Sequence, residues 1–236
     1  MTIRSELEKM MAVEFRIISI GTMSRNRLWG ESRAMRTSHA TTTLVVEGDR
    51  RILVDPSLPA EILSARYNER TGRQLEDVTD VFCTTLRPVH RRSIAAFEHA
   101  RWWACEQELE TYGRHLAQLA DSADRLSEED ARMVEADRRL LGRFQPAPEK
   151  LSEQIHLFPL TGASPGSAGL LLTPPTQSIV IAGDAAITTD HIARGQVWQG
   201  SADTEQAGES LRDVLEIADI IVPGHDNVML SPRRLV

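Results

Sequence analysis

Short β-branched runs that each stop at a polar turn, separated by amphipathic helices, constrain this chain more than any other feature in it. "EFRIISIG" (14–21), "TTTLVVEG" (41–48), "RRILVDPS" (50–57) and "VTDVFCTT" (78–85) read as strands, and "GLLLTPP" and "SIVIAGD" follow the same rule later. "SLPAEILSARYNERTG" reads as a helix with Ser57 as its cap, Pro59 in its first turn and a stop near Gly72. Ala207, Leu211, Val214, Leu215 and Ala218 recur at helical spacing and draw an apolar stripe that runs into the strand "DIIVPGH". This mixture of strands and helices predicts a layered α/β fold.

The middle of the chain departs from that pattern. From Cys105 to Phe144 the sequence is rich in Glu, Arg, Leu and Ala without a strand signal, and Ser127 to Asp130 resembles a capping box. Two helices joined near 124–127 are expected there, as a helical insertion around 105–145 that serves as a lid, a dimer contact or plain decoration of the surface. No linker or change of composition divides the 236 residues, so a single domain over 1–236 is expected. The start "MTIRSELEKMMAVEF" carries charges where a signal peptide would be apolar, and no run is long enough to cross a bilayer. A cytoplasmic location and no membrane partner follow as expectations. The two cysteines, Cys83 and Cys105, make neither a CxxC pair nor a disulfide framework. A formal charge of -7 argues against nucleic acid as the main partner; locally, Arg87, Arg91 and Arg92 surround His90 and make one turn electropositive.

The chemistry-bearing residues sit where strands end. Asp55 follows one strand, His90 follows "VFCTT", Asp184 follows "VIAG" and His225 follows "IIVPG". Loops at strand ends of layered α/β proteins converge on one crevice, so His90, Asp184 and His225 can meet despite their separation in sequence. Two imidazoles and a carboxylate suffice to hold a divalent metal. On residue type alone, the ordinary role of such histidines is a structural hydrogen bond. His39, His191 and Asp226 are further polar residues for the same crevice, with hydrogen-bonding roles the plainer reading. Trp29, Trp102, Trp103 and Trp198 are either pocket wall or core anchors.

The order of "ILVDPS", "VFCTTLRPVH", "FEHARWWACEQELE", "PLTGASPGSAGLLL", "VIAGDAA" and "EQAGESLRDVLEIADIIVPGHD" resembles the metallo-β-lactamase superfamily, in particular its lactonase-type hydrolases. The resemblance covers residues from about 15 to about 230 and implies an αββα sandwich with the site on one edge between two sheets. It also implies a dinuclear site in the relatives, to which this chain answers only in part. The H-x-H-x-D-H turn of the family falls on Thr85, Leu86, Arg87, Pro88, Val89 and His90, and a further family histidine falls on Ala163. The bridging aspartate matches Asp184, the last histidine matches His225, and Asp55 matches an aspartate that supports the site without binding metal.

What remains is His90, Asp184 and His225, enough for at most one metal, zinc first with manganese or iron behind it. Arg87, standing where a ligand would be, is expected to pair with Asp184, and such a pair is an argument for no metal at all. Two functions follow from the resemblance. One is a metal-dependent lactone or ester hydrolase in which Asp184, His90 and His225 are catalytic and act on a small-molecule substrate. The other is a metal-free, inactive relative that binds a small ligand or a protein. An iron-dependent sulfur oxygenase fits poorly, since it needs the histidines that are missing. Relatives are often dimers, which leaves a homodimer open.

Overall fold

In the computed structural model, which describes residues 12–122 and 127–232, two six-stranded sheets face one another. The first holds β1 (Glu14–Ser19), β2 (Thr42–Glu47), β3 (Arg50–Val54), β4 (Asp80–Phe82), β5 (Arg101–Ala104) and β6 (Phe144–Pro146), in that spatial order. The second runs β12 (Met229–Leu230), β11 (Ile220–Pro223), β10 (Ile179–Gly183), β9 (Ala168–Leu172), β8 (Ile155–Pro159) and β7 (Lys150–Ser152). Pairing is antiparallel from β1 to β3 and parallel from β3 to β6. In the second sheet only β10 and β11 run parallel.

Side chains alternate across a strand, and here both faces are covered, which is why the strand runs are almost continuously apolar. Ile52 and Val54 of β3 point between the sheets with Val45 of β2, and meet Ile179 and Ile181 of β10 there. Leu53 and Leu44 point the other way, onto Leu63 and Tyr67 of α1 (Ala60–Thr71). Val180 and Ala182 face outward from the second sheet, against Leu211 and Val214 of α5 (Thr204–Ile217). Helix, sheet, sheet and helix thus form the expected αββα sandwich.

The middle segment forms α2 (Glu106–Asp121) and α3 (Glu128–Leu141), with the Ser127 hydroxyl accepting from the Asp130 N–H as the capping pattern predicts. Residues 123–126 of the turn that joins them, and residues 1–11 of the chain start read for a signal peptide, lie outside the described residues. The described part of the pair lies against the first sheet. Leu109, Tyr112, Leu140 and Leu141 pack it onto the outer face of the first sheet, and Asp137 and Tyr112 hold the buried Arg91 guanidinium.

Two local expectations need correction. Ser57 does not cap α1, whose N-terminal flanking residue is Pro59; the Ser57 hydroxyl instead accepts from the Ala40 N–H and donates to the Val89 carbonyl. The strand expected over 78–85 is only β4, because Thr84 leaves the ladder: its N–H goes to the Asp55 carboxylate and its carbonyl to Ala168 in the other sheet. Gly72 does end α1, in the left-handed conformation (φ 69°) that a residue without Cβ adopts freely. A further, short helix α4 (Thr189–Ala193) follows β10.

Candidate metal centre

Topology brings the polar strand ends together. β3 and β4 are neighbours in the first sheet, β10 and β11 in the second, and the Thr84–Ala168 bond ties the sheets at that edge. Asp55, His90, Asp184 and His225 therefore meet. One ligand atom from each of His90, Asp184 and His225 lies within 4.8 Å of the others, and all three residues are buried.

The backbone is shaped to put them there. Gly183 adopts φ 54°, and a Cβ on it would lie 2.5 Å from the Thr84 hydroxyl oxygen, so only glycine fits before Asp184. Asp55 is the one non-glycine residue with positive φ among the described residues, at 51°. Its side chain accepts from the Thr84 N–H at 2.9 Å and the Thr84 hydroxyl at 2.7 Å, and these bonds hold the strained residue.

Each histidine is oriented through its far nitrogen. His90 Nδ1–H donates to Asp55 Oδ2 at 2.9 Å. His225 Nδ1–H donates to the His39 carbonyl at 2.9 Å and lies 3.2 Å from the Thr22 carbonyl. With Nδ1 protonated, the neutral ring of each carries its lone pair on Nε2. Both Nε2 atoms face Asp184 Oδ1, at 3.3 Å from His90 and 3.2 Å from His225. Neither contact is aligned as a hydrogen bond: His90 Nε2 and Asp184 Oδ1 are buried without a partner. Three lone pairs pointed at one buried spot repel unless a cation stands between them.

A metal ion fits that requirement. Two ligand bonds of about 2.0–2.1 Å at a tetrahedral angle place their ligand atoms roughly 3.3–3.4 Å apart, close to the contacts at Oδ1. Without a metal, the surrounding carboxylates favour the protonated form of His90. Burial lowers the His90 pKa, but the charges of Asp184 and Asp55 outweigh it and push it up to about 10. Burial of Asp184 raises its pKa, yet the charge on His90 and the contacts with both histidines hold it well below the usual carboxylate range.

Arg87 pairs with Asp184 as expected, but with only one of its oxygens. Nη1 donates to Oδ2 at 2.9 Å, Nη2 donates to the Ala163 carbonyl, and the guanidinium lies 4.5 Å over the Trp198 ring. The expectation that arginine satisfies Asp184 without an ion thus holds for half of the carboxylate. Oδ1 is left for the histidines.

The remaining positions that the resemblance gave to ligands, Thr85, Val89 and Ala163, carry neither imidazole nor carboxylate. Thr85 is tied into a network that the sequence does not announce. Glu108, at the start of α2 and almost fully buried, accepts from the Thr85 hydroxyl and the Leu86 N–H through Oε1, and from the Ser164 hydroxyl and the Gly166 N–H through Oε2. Its four donors come from both turns beside the site, which are fixed by protein atoms alone. Nothing in the residues around it, which are exposed or half-buried, marks it out.

The other polar residues stand aside. His39 is half-buried and bonds through its ring to the Ile20 carbonyl; His191 bonds to the Thr188 hydroxyl, its pKa lowered by burial; Asp226 accepts from Thr189. Trp102 lies in the core and Trp103 donates to Asp80, while Trp29 is exposed and donates to Asp190. Trp198 walls the crevice above the triad, a cavity of about 160 Å³ lined also by Met23, Arg25, Val89 and Ile187. Cys83 and Cys105 are free thiols, the first buried and its pKa pushed up by that burial.

Comparison with solved structures yields many similar folds. A provisional metallo-β-lactamase of Thermotoga maritima shares 19% identity at a TM-score of 0.67, over 93% of this chain and 99% of its own. The fold is that of the metallo-β-lactamase superfamily. A Bacillus thuringiensis AiiA variant with N-decanoyl-L-homoserine bound at its active site matches at a TM-score of 0.60 and 16% identity, over 92% of this chain and 94% of its own. AidC, a dizinc quorum-quenching lactonase, matches at 0.59 and 16%, over 75% of this chain and 67% of its own. No family profile and no curated protein matches the chain by sequence. At these identities the likeness is one of fold. Among the described residues no helix is long and apolar enough to cross a membrane.

Proposed function

We propose that this chain is a single-ion hydrolase of lactones or esters, in which His90 Nε2, Asp184 Oδ1 and His225 Nε2 hold one divalent metal. The observation that carries this reading is the convergence of three buried ligand atoms on a spot where His90 Nε2 and Asp184 Oδ1 lack hydrogen-bond partners. Two imidazoles and one carboxylate suit zinc first, and manganese or iron(II) after it. A divalent ion there supplies Lewis acidity toward a carbonyl and lowers the pKa of water toward neutrality.

The chain's own residues supply the rest. Asp55 and the carbonyls of His39 and Thr22 fix the imidazoles, so no orientational freedom is lost when ligands are engaged. Arg87 clamps Oδ2 and thereby aims Oδ1. With Oδ2 committed to the guanidinium, a second ion on the far side of Asp184 has no carboxylate oxygen to bind. Val89, Ile187 and Trp198 give the crevice an apolar wall against which a substrate displaces water. The solved structures with lactone-derived ligands, on the same fold, support a carbonyl substrate.

A second reading rests on charge. Without any ion, Arg87 and protonated His90 balance Asp184 and Asp55, so the network is neutral and the fold stands as a binding module. Hydrolysis of aryl esters and γ-lactones, followed before and after chelation, separates the two. The hydrolase reading expects turnover that chelation and Asp184→Asn both abolish and that added zinc restores in the wild type alone. No turnover by ion-loaded protein on any member of the panel contradicts it.

A further inference from the structure

The crevice over the triad does not end there. It shares Met23, Arg25 and Trp198 with an adjoining cavity of about 200 Å³, whose lining adds Arg27, Leu28 and His191. No acidic side chain lines this second cavity. Arg25 and Arg27 form no ion pair among the described residues: Arg25 donates to the Ser32 carbonyl and Arg27 to the Gln199 side chain, both neutral. The carboxylates on the surrounding loops are engaged elsewhere. Glu31 is held by Arg36 and the Asn26 N–H, Asp190 by the Trp29 indole, and Asp203 caps α5 through the N–H groups of Glu205 and Gln206.

A protein with a formal charge of -7 thus keeps two uncompensated guanidiniums beside an aromatic wall, in a cavity that adjoins a crevice opening on its buried triad. Unpaired arginines next to apolar surface are poised for a planar anion, because a guanidinium offers paired donors that match a carboxylate. Low counter-charge in a cleft also raises the local concentration of anions.

The geometry points to an anion subsite: Arg25 and Arg27 receive a carboxylate on the substrate, Trp198 and Leu28 flank its aliphatic part, and its ester or lactone carbonyl lies at the triad. This deepens the hydrolase reading in its last clause only; the anion subsite itself needs neither metal nor turnover. The substrate class is an ester or lactone that carries a carboxylate, as opposed to a neutral one.

The test uses metal-free protein in chelator, so that it is independent of catalysis. Monomethyl glutarate, an anionic ester, is compared with neutral dimethyl glutarate by NMR, reading the Trp198 indole N–H resonance identified by its loss in Trp198→Phe. The monoanion is expected to shift that resonance and to bind at least ~10-fold more tightly than the diester, with the preference weakening as salt is added. The double variant Arg25→Gln with Arg27→Gln removes the preference while other amide resonances stay in place, and Arg25→Lys keeps part of it. Equal binding of the two esters, a preference that survives the double Gln variant, or no shift at Trp198 overturns the proposal. If the anion preference holds and the metal-loaded protein hydrolyses neither these esters nor any aryl ester or γ-lactone, the hydrolase reading fails and the anion subsite stands.

Discussion

At the scale of single residues, the site is decided by which atom of each side chain is already spoken for. Asp184 gives Oδ2 to Arg87 and keeps Oδ1 toward two imidazoles whose Nδ1 atoms are occupied. The sequence showed which residues would meet, because each follows a strand, but not how the carboxylate would be divided. That division depends on the Arg87 rotamer, which the Ala163 carbonyl and the Trp198 ring fix from distant segments. Asp55 allows a test at this scale. Its positive φ is a conformation that asparagine also tolerates, so Asp55→Asn should keep the backbone while weakening the charged hold on His90 Nδ1. Equilibrium dialysis should show affinity for zinc reduced about 10–100-fold, the usual consequence of losing such a supporting carboxylate, with unchanged circular dichroism. Unchanged affinity would mean that Asp55 serves the fold alone.

At the scale of elements, the long apolar strands and the striped helix α5 were legible, because burial on both faces or on one stripe writes itself into residue type. β5, β6, β7, β8 and β12 were not marked. β5 reads "RWWA", with an arginine and two tryptophans whose indoles bond to Phe97 and Asp80; β6 and β7 are three residues each, too short to show a period. The Ser57 cap failed for a related reason, since a distant backbone, Ala40 and Val89, claims its hydroxyl. Glu108 is the clearest case of a role invisible in sequence: one glutamate at the start of α2 closes two turns that lie 79 residues apart, as the Thr85–Ser164 contact shows. Glu108→Ala leaves four buried donors without their acceptor, and urea denaturation should show a loss of roughly 3 kcal/mol or more. Glu108→Gln, which keeps an acceptor oxygen, should lose less. A loss under about 0.5 kcal/mol in the alanine variant, the size of an ordinary surface substitution, would contradict the network's structural role.

At the scale of the whole molecule, stability and function draw on separate charges. Asp80, fully buried in β4, gathers Arg50, Arg101, Trp103 and Thr79 on the side of the first sheet. Burial raises its pKa, but the hydrogen bonds from Arg50, Trp103 and Thr79 prevail and hold it below the value of 3.8 for a free aspartate. A carboxyl with a depressed folded-state pKa contributes stability that is complete above its unfolded value and disappears as pH falls through the folded one. Asp80→Asn should therefore lower stability at neutral pH and flatten the acid limb below about pH 4; parallel acid limbs in variant and wild type would show that other carboxylates govern acid unfolding.

The central claim is that this metallo-β-lactamase fold holds one ion where Arg87 excludes a second. Elemental analysis of the purified chain, incubated in turn with zinc, manganese and iron(II) and then desalted, tests it most directly, with Asp184→Asn alongside. One ion per chain in the wild type, absent from the variant, is the predicted result. Two ions per chain, an ion retained equally by Asp184→Asn, or none under any condition would contradict it, and the last outcome would leave Arg87 and the His90 proton as the only cations the site accepts.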